Sequence, residues 1–174
     1  CFDDWGHRFV TNAGQLLMHP VYGEPYLSRN PRLHVGNVLY RSSSKRDMYS
    51  ISKPEPWRVV RKRFWQRWVN KTHDMRASRF STSELAERGF VTGAAGAAIY
   101  RGEVYPVEYR GNSFTAEPAG NVVIRLRVES HGVTFVARST SEKSEFLASN
   151  DNWFRPVNIA NGPDGCLYIC DMYR

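Results

Sequence analysis

The chain has 174 residues, of which 41% are hydrophobic and 13% aromatic, ample apolar material for one folded unit and too much for a disordered chain. No stretch reaches the roughly 18 consecutive apolar residues of a membrane-spanning helix, and the first residues lack the basic start, apolar run and cleavage site of a secretion signal. The formal charge of +7 points to nucleic acid only until it is located: residues 58–79 hold eight Lys/Arg against one acid, Asp74, and the remainder balances at 16 of each sign.

A motif of Gly, two residues, an aromatic, two residues and a polar side chain occurs three times. It runs Gly6 to Phe9 to Asn12, Gly111 to Phe114 to Glu117, and Gly165 to Tyr168 to Asp171. The spacings of 105 and 54 residues lie near multiples of a blade-type repeat of roughly 40–50 residues. Each copy begins at a turn and enters a strand-like stretch. Residues 8–11 and 16–22 read as middle strands of an incomplete blade within residues 1–57.

Residues 58–90 form a basic insertion. Arg61-Lys62-Arg63-Phe64-Trp65-Gln66-Arg67-Trp68 interleaves cations with aromatics, a combination that holds single-stranded nucleic acid by charge and stacking. It equally suits docking, with aromatics on a neighbouring blade and Arg side chains on an acidic domain, or contact with an anionic membrane. Docking is the expectation, and nucleic acid is not the expected partner. Ser81 and Glu84 have capping-box spacing and Gly89 ends the run, so one short helix is expected in this insertion. His73-Asp74 has the residue types of an oriented general base, but sequence neighbours on a loop seldom face each other. Gly93-Ala94-Ala95-Gly96 lacks the spacing and the Lys of a phosphate loop, and its small residues suit close packing of an inner strand.

Residues 91–149 read as a complete four-stranded blade. Val122, Ile124, Leu126 and Val128 alternate with Val123, Arg125, Arg127 and Glu129, the period-2 pattern of a half-buried strand. Ala119-Gly120 turns the chain before this strand and His131-Gly132 after it, into residues 133–138. With residues 97–101 ahead of them, these make an antiparallel meander. The next blade begins at residues 150–174, with a strand from Trp153, a turn at Asn161-Gly162-Pro163-Asp164-Gly165, and a second strand over 167–171. Asp164 is read as turn chemistry and Asp171 as a cap on backbone amides, in preference to a calcium pair. Cys166 and Cys170, four apart on a strand, lie about 13 Å from each other at ~3.3 Å per residue, beyond the ~7 Å reach of a disulfide. The chain opens on Cys1 and closes in strand-like residues, so a fragment of a larger propeller is expected, with any signal or anchor outside it.

Ile99-Tyr100-Arg101-Gly102, Glu108-Tyr109-Arg110-Gly111-Asn112, Glu117-Pro118-Ala119-Gly120-Asn121, Glu145-Phe146-Leu147-Ala148-Ser149 and Trp153-Phe154-Arg155-Pro156-Val157 through Gly162-Pro163-Asp164-Gly165-Cys166-Leu167-Tyr168 carry a family resemblance. So do residues 2–12 and 56–61. The chain resembles the propeller of the membrane-bound dehydrogenases of planctomycete and verrucomicrobial type, themselves similar to quinoprotein sugar dehydrogenases. The resemblance implies an all-β fold, a partial, six-bladed β-propeller of four-stranded antiparallel blades. It implies an extracytoplasmic, periplasmic or membrane-associated protein that oxidises a sugar or alcohol and passes electrons to a haem domain. The implied partners are the remaining blades and C-terminal helical-repeat and cytochrome c domains of the same protein. The resemblance admits pyrroloquinoline quinone and calcium as cofactors, but no residue here matches a ligand motif for either, so the cofactor is unknown at this point. No Cys-x-x-Cys-His haem attachment motif occurs in this chain. The other reading is a non-catalytic scaffold or carbohydrate-binding propeller module.

In propellers, ligands sit on the face where inner strands begin and where the second strand turns into the third. That face would carry Thr92, Asp151, Asn152, Trp153, Arg155 and Asn158, with Asn12, Gln15, Glu117 and Asn121 from the turns. Arg155 and Asn158 are the expected catalytic residues, Arg155 because its guanidinium binds carboxylates in a bidentate fork. Thr92, Glu117, Asn152 and Trp153 are the expected substrate-binding residues. No metal-ligating residue is expected.

Overall fold

Alternating apolar residues need an apolar partner on each face that they present, and the chain supplies those partners by stacking sheets. The computed structural model describes residues 1–72 and 86–173. The first sheet has β1 (Val10–Asn12), β2 (Gln15–Pro20) and β3 (Leu39–Arg41), antiparallel and in that order. A five-residue helix, α1 (Glu24–Ser28), lies between β2 and β3. The helix α2 (Pro56–Thr72) follows.

The second sheet is the meander β4 (Ala97–Ile99), β5 (Ser113–Glu117), β6 (Val122–His131) and β7 (Thr134–Ser139). The short β8 (Leu147–Ala148) pairs with Val122 and Val123 at the start of β6. β7 pairs with the second half of the same strand, so β7 and β8 together flank β6. A hairpin of β9 (Pro156–Asn161) and β10 (Leu167–Asp171) ends the chain.

The meander is covered on both sides. Val122, Ile124 and Leu126, all at 0% exposure, join Phe9, Leu16, Leu17, Met48 and Val91 in one core against the first sheet. Val123 turns the opposite way and joins Phe114, Ala116 and Ile159, so that β9 packs over β4 and β5. Fully burying each such aliphatic side chain contributes about 1.5–3 kcal/mol. At one point the stacking demands glycine. A Cβ on Gly96 would stand 2.2 Å from Asn158 Oδ1 and 2.6 Å from its Cα, while the Gly96 N–H donates to Val157 O at 2.9 Å. Of the small residues at 93–96, Gly96 is the one that serves close approach to β9, while a Cβ on Gly93 would meet Ala119 and Glu117.

The helical expectation falls for the most part beyond what the structure describes. Residues 81–85 and the His73-Asp74 pair lie outside the described residues, and Ala86 and Glu87 are not helical. Among the described residues the insertion carries a helix that the sequence reading did not place, α2, 17 residues long, and α1 is a further helix. Apolar side chains at 57, 59, 60, 64, 65 and 68 spread around α2 without one clean stripe, which hides a helix from a periodicity reading. Pro56 at its first position, where no N–H is needed, was the available signal. The strand expected from Trp153 begins only at Pro156.

His19 of β2 ties the first two sheets together. Its Nδ1 lies 3.2 Å from Thr134 Oγ1, and its ring packs against Phe9 and Phe135 at 5.6 and 4.9 Å. Burial, then the neighbouring His7, lowers its pKa. The folded state therefore resists protonating His19, and the unfolded state does not. Stability should be full above the ordinary imidazole range, fall with pH through about 6.5 and level off below the lowered folded value. Urea midpoints measured across pH should show this acid limb, and His19→Gln should flatten it. In a second measurement at neutral pH, Gly96→Ala should cost about 1–3 kcal/mol by overpacking, while Val133→Ala, 82% exposed, should cost nothing measurable.

Candidate functional site

At the end of β5 the strand pattern turns Glu117 inward, toward the first sheet rather than solvent. Its side chain is fully buried, a costly place for a carboxylate unless donors meet it. Three backbone N–H groups do. Thr92 and Gly93 donate to Oε1 at 3.1 and 2.6 Å, and Gly120 donates to Oε2 at 2.6 Å. Glu117 thereby fixes the segment leading into β4 and the turn between β5 and β6. Ser50 Oγ donates to Gly120 O at 2.8 Å, and the buried Arg58 of α2 donates through Nη2 to Thr92 Oγ1.

The segment leading into β9 joins the same rim. Asn121, buried and in the left-handed region at φ 57, donates through Nδ2 to Phe154 O at 2.6 Å and to Asn152 O at 3.4 Å. Arg155 donates through Nη1 to Pro118 O at 2.9 Å and through Nη2 to Glu55 Oε1 at 2.5 Å. That ion pair is largely withdrawn from water, its side chains 18% and 14% exposed. Asn152 Nδ2 reaches Lys53 O at 3.1 Å and Glu55 Oε1 at 3.4 Å.

Thr92, Glu117, Asn152 and Arg155 are therefore brought to one rim of the second sheet, with Asn121 among them. Asn158 sits on β9, exposed, its Oδ1 accepting the Ile159 N–H at 2.9 Å. Trp153 stands out at 59% exposure with its ring 5.8 Å from that of Tyr173. Asp151 and Asn12 act locally, accepting the Trp153 and Gly14 N–H groups, and Gln15 opens β2. Sequence reasoning missed Glu55 and Arg58. Glu55 is the lone acid between Asp47 and Asp74, and an isolated acid ahead of a run of cations was the signal to follow.

Chemically, the rim is rigid and polar, with its strongest charges already engaged internally. Asp171 Oδ1 accepts the N–H groups of Arg155 and Tyr173 at 2.6 and 3.0 Å, so it does cap backbone amides. In the 161–165 turn, the Cys166 N–H and then the Tyr168 hydroxyl hold the Asp164 carboxyl below its ordinary range. Among the described residues no group of three His, Cys, Asp or Glu is placed to hold a metal. The opposite rim carries a cavity of about 600 Å³ lined by Asp3, Asp4, Trp5, Arg110 and Phe135. There Arg101 at 2.6 Å and Arg110 at 3.3 Å keep Asp4 ionised to lower pH than usual.

Over residues 1–174 the sequence matches the family described as Domain of unknown function (DUF7133). The chain belongs to the DUF7133 family. No curated protein and no solved structure matches it. The polar rim of this DUF7133 chain rests on Glu117. Glu117→Gln keeps the shape but sets an amide donor against backbone donors, and should cost about 1–3 kcal/mol. The loss should read as a lower urea midpoint together with faster hydrogen exchange at the Thr92, Gly93 or Gly120 amides; unchanged exchange at all three would refute the clamp.

Proposed function

We propose that the chain is a run of β-propeller blades from an extracytoplasmic dehydrogenase, which oxidises a sugar or alcohol and passes electrons to a haem domain outside this chain. The observation that carries this reading is the four-stranded meander stacked between two further sheets, with the starts of β4 and β9 and the β5–β6 turn drawn to one rim. Propeller blades stack in this way around an axis. The family resemblance of residues 96–174 supplies the activity, the six-blade count and the partner domains.

Within this reading Trp153 and Asn158, both exposed, meet the substrate. Glu117, Thr92, Asn152 and Arg155 hold the rim that presents them. The described residues do not form a carboxylate cluster suited to calcium. A second reading, a non-catalytic scaffold or carbohydrate-binding module, is favoured by the internal engagement of Glu117 and Arg155.

The whole protein, supplied with calcium and pyrroloquinoline quinone, should reduce an electron-accepting dye with at least one member of a panel of sugars and alcohols. Trp153→Ala and Asn158→Ala should each lower kcat/KM about tenfold or more, equivalent to ~1.4 kcal/mol or more, with the melting midpoint unchanged. Saturable sugar binding without turnover would replace the dehydrogenase reading by the binding-module one.

A further inference from the structure

α2 buries a cation and leaves three of its apolar side chains exposed. Arg58 is 4% exposed and turned to the protein, while Trp57, Val60 and Phe64 are exposed by 52%, 63% and 64%. At about 100° per residue, positions i, i+3 and i+7 fall within roughly 60° of one another, so these three form one outward stripe about 10 Å long at 1.5 Å rise. That spacing is the anchor pattern of a helix seated in an apolar groove. Trp57 is pre-positioned, because the guanidinium carbons of Arg58 and Arg61 each lie 5.0 Å from its ring centre. Arg63 and Arg67, both exposed, border the stripe. The helix carries six Lys/Arg and no acid over residues 56–72.

We infer that α2 is a docking helix whose partner is a protein with an apolar groove rimmed by Asp and Glu. Charge complementarity selects the acidic rim, and the three anchors select the groove. A lipid surface is the poorer match, since an in-plane helix needs a broad apolar face. Here Val59, Trp65 and Trp68 are less exposed than the three anchors, so among the described side chains the outward apolar face is one stripe wide. Exposed anchors of this kind are where binding energy concentrates, in aromatic and Arg side chains above all. The inference stands independently of the dehydrogenase reading, because none of its three anchors belongs to the polar rim.

The test places a photo-reactive benzophenone amino acid at Val60 of the whole protein in its native cells, with Val133, 82% exposed, as the control position. A discrete protein adduct at 60 and not at 133, cross-linked within an apolar segment flanked by Asp or Glu, is expected. Binding of the two purified proteins should then weaken about tenfold or more for Trp57→Ala/Phe64→Ala, weaken for Arg63→Glu/Arg67→Glu, and fall with rising salt. Both variants alter exposed positions, and unchanged melting midpoints confirm that they fold. Four results would each overturn the inference: adducts to lipid or nucleic acid alone, no adduct above the control, purified binding indifferent to either variant, or anionic phosphatidylglycerol vesicles binding through Trp57 and Phe64 in place of a protein.

Discussion

Val122, Ile124 and Leu126 press one face of β6 into the first sheet, while Val123, with Phe114 and Ala116 of β5, presses the other toward β9. A sheet buried on both faces cannot exist alone in water, because either face left bare exposes several fully apolar side chains. The stacking of the three sheets follows from that constraint, and so do its tolerances. Gly96 is glycine because β9 lies within contact of where its Cβ would be. His19 can be buried because Thr134 of the neighbouring sheet meets its ring nitrogen.

Stacking also creates the polar rim. Loops that lead from one sheet to the next converge where the strands start, and their backbone N–H groups lose water as the sheets close. Glu117 satisfies three of them at once, Asn121 meets the carbonyl of Phe154, and Arg155 that of Pro118. All of these but the Gly120 bond, which closes the β5–β6 turn, join segments at least 24 residues apart. The rim is thus a by-product of the core that acquires rigidity of its own, which is the condition a binding face must meet before it can discriminate ligands.

α2 departs from this scheme. Its buried Arg58 reaches into the rim to Thr92, so a cation takes part in fastening the helix. That arrangement leaves Trp57, Val60 and Phe64 without cover among the described residues and the positive charge of the chain concentrated beside them. Over residues 56–72 this helix carries six Lys/Arg and no acid, and such asymmetry is the mark of a surface built to meet something of opposite sign.

Period-2 alternation over 122–128, the glycines at 120, 132 and 165, and the Gly-Pro-Asp-Gly turn were enough by themselves to determine the antiparallel meander, its turns and the hairpin after it. These features depend on neighbours in sequence, and local geometry dictates them. The same locality made Asp171 readable as a cap and Asp164 as a turn residue. Sequence could bring Thr92, Glu117, Asn152 and Arg155 to one rim only through the strand order, and it could not show what each side chain touches. Only tertiary structure decided that Glu117 faces inward to backbone amides, that Arg155 pairs with Glu55 a hundred positions away, and that α2 turns Arg58 in and Trp57, Val60 and Phe64 out. Those outcomes depend on which buried donor finds which acceptor once the sheets have closed, and no pattern along the chain records that choice.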